Sequence, residues 1–227
     1  MSTTRAPKPF RAFLSYSSRD KKFAGRIKHA LESCNIDAFL AHEDIAPAAN
    51  WQQTIEQELK RCDTFIPLIT KQNFHASYWT DQECGFALAR AKVILPICSR
   101  NPYGFLEKYQ AYKRKPGKNE RQLVEDVLVG LASHKSVRNH FLATLISTLR
   151  ISSGFDQSIA ICRVLSRISQ LSKVQLSKLL RNAIAQAQVH KSDEAVRQLR
   201  QLIKKNAGKV EKSLVHKFEK KAAKYLS

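Results

Sequence analysis

A glutamate one helical turn after a tryptophan is the most chemically suggestive pair in this sequence. Trp79 and Glu83 are four residues apart, so on a helix they share one face. A carboxylate placed in a cleft can stabilise positive charge that develops on a substrate, whereas an ordinary helix glutamate lies in solvent. If their helix begins at the carboxyl edge of a parallel sheet, where such sheets bind ligands, we expect Glu83 to line a nucleotide-sized pocket with Trp79 packed beneath it. A solvated helix glutamate is the alternative. Cys84 points about 100° further round the helix, which argues against a covalent role for its thiol.

Other polar residues follow the first two apolar runs. The hydroxyls, backbone N–H groups and guanidinium of Ser17, Ser18 and Arg19 could hold a pyrophosphate or a ribose, and helix capping is an alternative role. Asp44 and Trp51 flank the loop 42–50 and could approach a ligand from the other side, although a core position is the favoured alternative for Trp51. No GxGxxG or P-loop motif is present, so phosphate binding of the usual dinucleotide type is not expected.

Four short apolar runs predict the strands that position these residues. Because the last two are almost continuously apolar, they are typical of a parallel sheet buried on both faces. Helical patterns lie between the runs, and strand–helix alternation indicates an α/β, flavodoxin-like sheet of four to five parallel strands with ligands outside its carboxyl edge. The strands are Phe10–Ser15, Ile36–Ala41, Thr64–Ile69 and Val93–Cys98; the helices are Lys21–Cys34, Trp51–Arg61 and Trp79–Ala91.

The pattern changes after the fourth strand. We expect a helix from Tyr103 to about Tyr112, a basic surface loop, and a helix at Glu120–Leu131 that closes the first domain. Beyond Ser133 the strand signals stop, which predicts an all-α domain over 133–227 after an α/β domain over 1–132. Its predicted helices are His134–Arg150, Asp156–Gln170, Lys173–His190, Asp193–Lys205 and Val210–Leu226, with Asp156 and Asp193 as N-caps.

The charge is concentrated in the second half of the chain. The net charge is +20, and residues 113–227 carry 24 Lys and Arg against eight Asp and Glu. This excess suggests an acidic protein or a nucleic acid as partner for residues 133–227, with a solubilising surface as the alternative. A dense run of lysines occupies 204–224, with few aromatic residues for base stacking.

Several classes of protein are disfavoured. No apolar stretch reaches 18 residues, so we expect no membrane span and no membrane partner. The N-terminus lacks the apolar run of a secretory signal. The five cysteines show no CxxC spacing, which disfavours a metal site and predicts free thiols in a cytoplasmic protein.

Four motifs, in their order and spacing, resemble the TIR (Toll/interleukin-1 receptor) family in its prokaryotic branch. Two departures accompany them: the loop 42–50 lacks the family's usual glycine, and the fifth strand is not visible. The resemblance covers residues 9–132. The motifs are FLSYS at Phe13–Ser17 with Asp20 after it, Trp51 with Ile55, CDTFIPLIT at Cys62–Thr70, and SYWTDQE at Ser77–Glu83.

This resemblance implies a function and a site. It points to an NAD+ glycohydrolase or ADP-ribosyl cyclase of the kind found in Thoeris-type antiphage defence, with Glu83 as the catalytic residue. NAD is then the substrate, no further cofactor or metal is implied, and self-association through the TIR domain is expected. The residues then expected to contact NAD are Ser17, Ser18, Arg19, Asp44, Trp51 and Trp79. The alternative is a non-catalytic interaction module that recruits a partner through the loop 42–50.

Overall fold

The structure, a computed structural model, describes residues 8–45, 50–70 and 77–225, apart from the side chain of His42. Backbone contacts divide the chain into two compact units. The first contains residues 9–32 and 36–137, and the second contains Lys8, residues 33–35 and residues 138–225. The domain boundary that we expect after residue 132 remains a proposal.

The first unit is a parallel sheet flanked by helices, as predicted. Its spatial strand order is β2-β1-β3-β5-β6, with β4 beside β3, and every pairing in the described sheet is parallel. The elements are β1 (Phe10–Ser15), α1 (Lys21–Glu32), β2 (Ile36–Phe39), α2 (Ala41–Asp44), α3 (Trp51–Arg61), β3 (Thr64–Ile69), α4 (Tyr78–Ala89), β4 (Val93–Ile94), β5 (Ile97–Cys98), β6 (Tyr112–Lys113) and α5 (Glu120–Leu131).

The predicted fourth strand is present but its ladder is interrupted. β4 and β5 both pair with β3, and the register is the same on each side of the gap, since Phe65 opposes Ile94 and Leu68 opposes Ile97. That register places Pro67 opposite Pro96. Neither proline has a backbone N–H to donate, so the regular ladder stops at this level and resumes beyond it.

The predicted helix from Tyr103 to Tyr112 is wrong. Only a short 3₁₀-helix forms there, at Gly104–Leu106, and Gly104 has a φ of 55°, which a right-handed α-helix cannot contain. The chain then reaches the sheet edge as β6, where Tyr112 N donates to the Pro96 carbonyl at 2.8 Å. This two-residue strand forms the edge of the sheet, and it is the strand that could not be seen in the sequence.

Apolar side chains at strand and helix spacings hold the first unit together. Phe13 and Phe65 stack at 5.8 Å between ring centroids in a core that includes Ile55 of α3 and Ala87 of α4. On α1 the buried residues are Phe23, Ala24, Ile27, Ala30 and Leu31, whose helical spacing forms one apolar face. With α3 and α4 packed on the sheet in this way, the carboxyl edge of the sheet lies between the first turns of these two helices.

One glycine in α5 makes room for β6. A Cβ on Gly130 would come within 2.7 Å of Cζ of Tyr112, with the hydroxyl closer still. Gly130→Ala, a change that ordinarily stabilises a helix by up to about 1 kcal/mol, is therefore expected to destabilise this unit by about 1–3 kcal/mol through overpacking. Both tryptophans, Trp51 and Trp79, lie in this unit, so denaturant unfolding followed by tryptophan fluorescence measures the effect.

The matched control for that change is Gly85→Ala. Gly85 lies inside α4, and its added Cβ would meet nothing within 4 Å. We expect this variant to be neutral or more stable than the original chain. Equal effects of the two substitutions would show that Tyr112 does not constrain Gly130.

The second unit is helical, with leucine-rich stripes in its interior. Its interior includes the buried side chains of Leu165, Ile168, Leu171, Leu176, Leu179 and Leu180. Helix α7 packs on α10, α8 packs on α11, and the short α9 contacts all four. The helices are α6 (Lys135–Ile151), which begins in the first unit, α7 (Phe155–Arg167), α8 (Lys173–Ala185), α9 (Ala187–His190), α10 (Asp193–Lys205) and α11 (Lys212–Ala223).

Three details of these helices differ from expectation. The stretch predicted as one helix over Lys173–His190 is two, because backbone at Gln186 is extended, with φ −100° and ψ 112°. The N-cap of α7 is Gly154 and that of α10 is Ser192, not the predicted aspartates. Ser192 accepts from Ala195 N at 3.3 Å, which leaves Asp193 in the first turn, where its charge suits the helix dipole.

Candidate active site

A cavity of about 230 Å³ lies at the carboxyl edge of the sheet in the first unit. It is bounded by the segments that follow β1 and β2 and by the first turns of α3 and α4, which is where open parallel sheets bind ligands. Its lining combines hydroxyls, two indoles and one carboxyl group. The lining residues are Leu14, Tyr16, Ser18, Ala41, Trp51, Ile55, Ser77, Trp79 and Glu83.

Glu83 faces the sheet rather than solvent. On α4, Thr80, Glu83 and Ala87 recur at helical spacing and are exposed by only 1%, 7% and 0%. Ala87 belongs to the apolar core of the sheet. The carboxyl group of Glu83 is therefore held on the packed side of α4, at the level where the sheet ends, and the alternative of a solvated glutamate is wrong.

Ser15 holds this carboxyl group in place. The Ser15 hydroxyl donates to Oε2 of Glu83 at 2.5 Å, and Ser15 itself is buried. Ser15 is the last residue of β1 and pairs with Pro67 of β3 in the middle of the sheet. A side chain at the end of an interior strand of the sheet thus fixes one oxygen of Glu83.

Burial also changes the acidity of Glu83. Removal of the carboxyl group from water raises the pKa of Glu83 to about 7, and the hydrogen bond from Ser15 opposes that rise. A group with this pKa is divided between its neutral and ionised forms at neutral pH. Such perturbed carboxyl groups in clefts are typical of functional sites.

The two tryptophans occupy different environments at the cavity. Trp51 is half-buried, packs against the core and also lines the cavity, so its core position is compatible with the ligand contact expected for it, which stays a prediction. Trp79 lines the cavity but is 42% exposed, and its neighbour Tyr78 is 89% exposed. Trp79 therefore lies at the mouth of the cavity rather than beneath it.

The loop after β1 brings one of its three predicted residues to the cavity. Ser18 lines it, whereas Ser17 is buried at the start of a 3₁₀-helix, Ser18–Asp20, where its carbonyl accepts from Asp20 N at 2.8 Å. Arg19 is exposed and does not contribute to the lining. Contacts of Ser17 and Arg19 with a ligand remain predictions.

Asp44 is occupied by structural contacts. Its Oδ2 accepts from Leu40 N at 2.6 Å, and its Oδ1 accepts from the ammonium group of Lys28. It does not line the cavity. A contact between Asp44 and a ligand therefore stays a prediction. So does recruitment of a partner by the loop 42–50, of which residues 46–49 lie outside the described residues.

Ser15, Tyr16 and Ser77 are site residues to which the sequence assigned no role. Alternation along β1 could have indicated Ser15, because Ser15 and the core residue Phe13 point to the same face of the sheet as α4. The motif around Ser77 was visible, but its approach to the cavity depends on how α4 docks. Packing of separate segments, rather than a local pattern, brings these three residues together.

The cavity offers carboxylate chemistry and little else. Within the described ranges, no group of three or more His, Cys, Asp and Glu residues could hold a metal ion. Cys84 is buried in the core, and that burial, followed by the charges of Glu83 and Asp81, raises the pKa of its thiol far from the range of a nucleophile. Glu83 is therefore the ionisable side chain of the cavity lining that is best placed to take part in a reaction.

Comparison with known families identifies the α/β unit. A family model described as the TIR domain matches residues 12–126, half of the chain. The chain belongs to the TIR domain family. The TIR match runs from β1 into α5 and includes Ser15, Trp51, Trp79 and Glu83, while the helices from α6 onward lie outside it.

Among solved structures, the chain is similar to the TIR domain of the Toll-related receptor TRR-2 from Hydra magnipapillata, with 18% identity and a TM-score of 0.41. That alignment covers 61% of this chain and 97% of the Hydra chain. A search of curated proteins finds no match.

TIR domains as a family commonly self-associate and include members that cleave NAD. In the part of the chain that the structure describes, every helix is too short or too polar to span a lipid bilayer.

Proposed function

We propose that this TIR domain cleaves the nicotinamide–ribose bond of NAD+. The buried carboxyl group of Glu83 at the cavity carries the proposal, because it is the one feature of the cavity suited to a cationic sugar. The products are nicotinamide and either ADP-ribose or a cyclic ADP-ribose isomer. No cofactor beyond the substrate is required.

The reaction needs a negative charge more than it needs a proton donor. When the C1′–N bond breaks, its electron pair stays on the nicotinamide nitrogen, so nicotinamide leaves neutral without general acid catalysis. The ribose becomes an oxocarbenium-like cation, which the Glu83 carboxylate stabilises in a site largely shielded from water. Water then adds at C1′ and loses a proton to give ADP-ribose, or an adenine nitrogen adds to give the cyclic isomer.

The cavity suits one part of the substrate. At about 230 Å³ it is smaller than the roughly 300–1,000 Å³ of sites that enclose whole drug-sized ligands. We assign it to the nicotinamide riboside end, with Trp79 and Trp51 beside the rings and Ser18 near ribose or phosphate. The remainder of NAD then extends towards Ser17, Arg19 and Asp44, or towards a second TIR domain in an assembly.

We place this activity in prokaryotic antiviral signalling in the cytoplasm. All five cysteines are free and buried, which suits a reducing compartment. The basic helical unit then senses a trigger or holds the chain in its assembly, while self-association of TIR domains completes the NAD site.

Incubation of the full chain with NAD, followed by chromatography of nicotinamide and the ribosyl products, tests the proposal. We expect turnover by the original chain, at least in its self-associated form, and none above background for Glu83→Ala. Equal turnover by both, or none by the original chain in any state of assembly, would contradict an enzymatic role. The chain would then be a non-catalytic TIR interaction module.

A further inference from the structure

Helix α11 of the second unit, together with its C-cap residue Lys224, presents a row of lysines on one side. Lys217, Lys220, Lys221 and Lys224 recur at i, i+3, i+4 and i+7 and are all exposed. The apolar side chains of the same helix, Leu214, Phe218 and Ala222, are buried against the rest of the unit. The four ammonium groups therefore share the side of α11 that is left open.

The acidic residues of this region do not neutralise that row. Glu219 is engaged by Arg200 of α10, whose Nε and Nη2 donate to its carboxylate at 3.1 and 2.7 Å. Glu211 accepts from the Ser177 hydroxyl of α8 at 2.8 Å. Among the described residues, none of the four lysines forms an ion pair with a carboxylate. Their positive charge is therefore not offset by a direct ion pair.

Lys191, which follows α9, adds a fifth charge at the end of the row. Its Nζ lies 5.1 Å from the centroid of the Tyr225 ring, and Nζ of Lys224 lies 5.9 Å from the same centroid. The Tyr225 ring stacks on the buried imidazole of His190 at 5.2 Å. Burial, then the charges of Lys221 and Lys191, lowers the pKa of His190, which is consistent with Lys191, Lys221 and Lys224 meeting at this corner.

The form of the row indicates the class of partner. From Lys217 to Lys224 the helix rises about 10 Å, which suits a chain of regularly spaced negative charges better than a single small anion. Phe218 is buried, and the single exposed ring, Tyr225, stacks on His190 and lies beside two lysines, so this side of the helix offers no series of open rings on which successive bases could stack. Helix α11 contains no Asn, Gln or Arg to read base edges.

We propose that this lysine face, formed by Lys191, Lys217, Lys220, Lys221 and Lys224, binds the phosphate backbone of double-stranded nucleic acid without reading its sequence. Phosphate contacts position such a protein on a duplex and carry no sequence information. The surrounding unit favours the encounter, because residues 138–227 hold 18 Lys and Arg against five Asp and Glu.

Fluorescence anisotropy of the full chain with labelled DNA and RNA duplexes of about 20 base pairs, across roughly 50–200 mM salt, tests this proposal. We expect at least one of the two duplex types to bind, with affinity independent of its sequence and with log Kd linear in log salt. The triple variant Lys220→Gln, Lys221→Gln, Lys224→Gln should weaken binding at least about tenfold and reduce the salt slope by about 2–3. The single variant Lys224→Gln should reduce it by about 1.

The matched control removes equal charge from another part of the same unit. Lys173, Lys178 and Arg181 are exposed on α8, and their triple replacement by glutamine should change affinity less than about twofold if the contact is local. Equal weakening by both triple variants, binding insensitive to salt, or no duplex binding at all would overturn the proposal. So would binding of polyglutamate or anionic phospholipid vesicles as tight as that of a duplex.

Discussion

Glu83→Gln is expected to lower NAD turnover by roughly 10²–10³-fold, the usual cost of removing one electrostatic stabiliser from a water-excluded site. Glutamine keeps the size of the side chain, and its carbonyl oxygen can still accept from Ser15. What it loses is the negative charge opposite the developing ribose cation. Steady-state measurement of nicotinamide release gives kcat and kcat/KM, and the loss should fall mainly on kcat.

The pH dependence of that activity has a definite sign. The ionised form of Glu83 is the active one, so kcat/KM should rise with pH through about 7 and then level off. The residual activity of Glu83→Gln should show no such rise. A profile that falls through neutrality would assign Glu83 the role of a proton donor instead and would contradict the mechanism.

A second buried glutamate supplies the control for this substitution. Glu125 of α5 is exposed by 7%, the same fraction as Glu83, but does not line the cavity. Glu125→Gln should therefore retain kcat within a few-fold once thermal melting shows that the variant is folded. Similar losses of kcat in both variants would point to general disturbance of the unit.

The first unit, which contains the residues matched by the TIR family model and is called the TIR unit below, is expected to lose unfolding free energy as pH rises from about 4.5 to about 7. In this range the folded state keeps a proton on Glu83 that the unfolded state has released, and stability declines with pH wherever the folded state binds more protons. A rise from 4.5 to about 7 corresponds to about 3 kcal/mol, at about 1.4 kcal/mol per pKa unit. Above that range the contribution stays constant.

Denaturant unfolding at several pH values between about 5 and 8 measures this dependence. Tryptophan fluorescence reports on the TIR unit alone, because Trp51 and Trp79 both lie in it. Glu83→Gln should remove the decline and be more stable than the original chain at pH 8. Ser15→Ala should extend the decline to higher pH, because it removes the hydrogen bond that opposes the raised pKa. If the unfolding free energies of the original chain and of Glu83→Gln changed in parallel with pH, Glu83 would not be desolvated in the folded state.

The sequence alone determined where most of the regular structure lies. Apolar runs such as Thr64–Ile69 and the helical spacing of Phe23, Ile27 and Leu31 depend only on which side chains must leave water, and this information is local. The motif from Ser77 to Glu83 likewise placed the candidate catalytic residue on a helix after β3. The edge strand β6 could not be read in this way, because two residues form it and their pairing with β5 depends on the returning chain.

Tertiary structure decided what surrounds Glu83. Sequence spacing put Trp79 and Glu83 on one helical face, but only the docking of α4 on the sheet buried the carboxyl group, brought the Ser15 hydroxyl to 2.5 Å and left Trp79 at the cavity mouth. The same distinction holds for the lysines, whose number is a property of the sequence. Their spacing aligns them on one side of α11, but their exposure, with Glu211 and Glu219 engaged by other residues, results from packing. Composition fixes how much charge and apolar surface a chain carries, whereas packing fixes which groups lose water and which remain open to a partner.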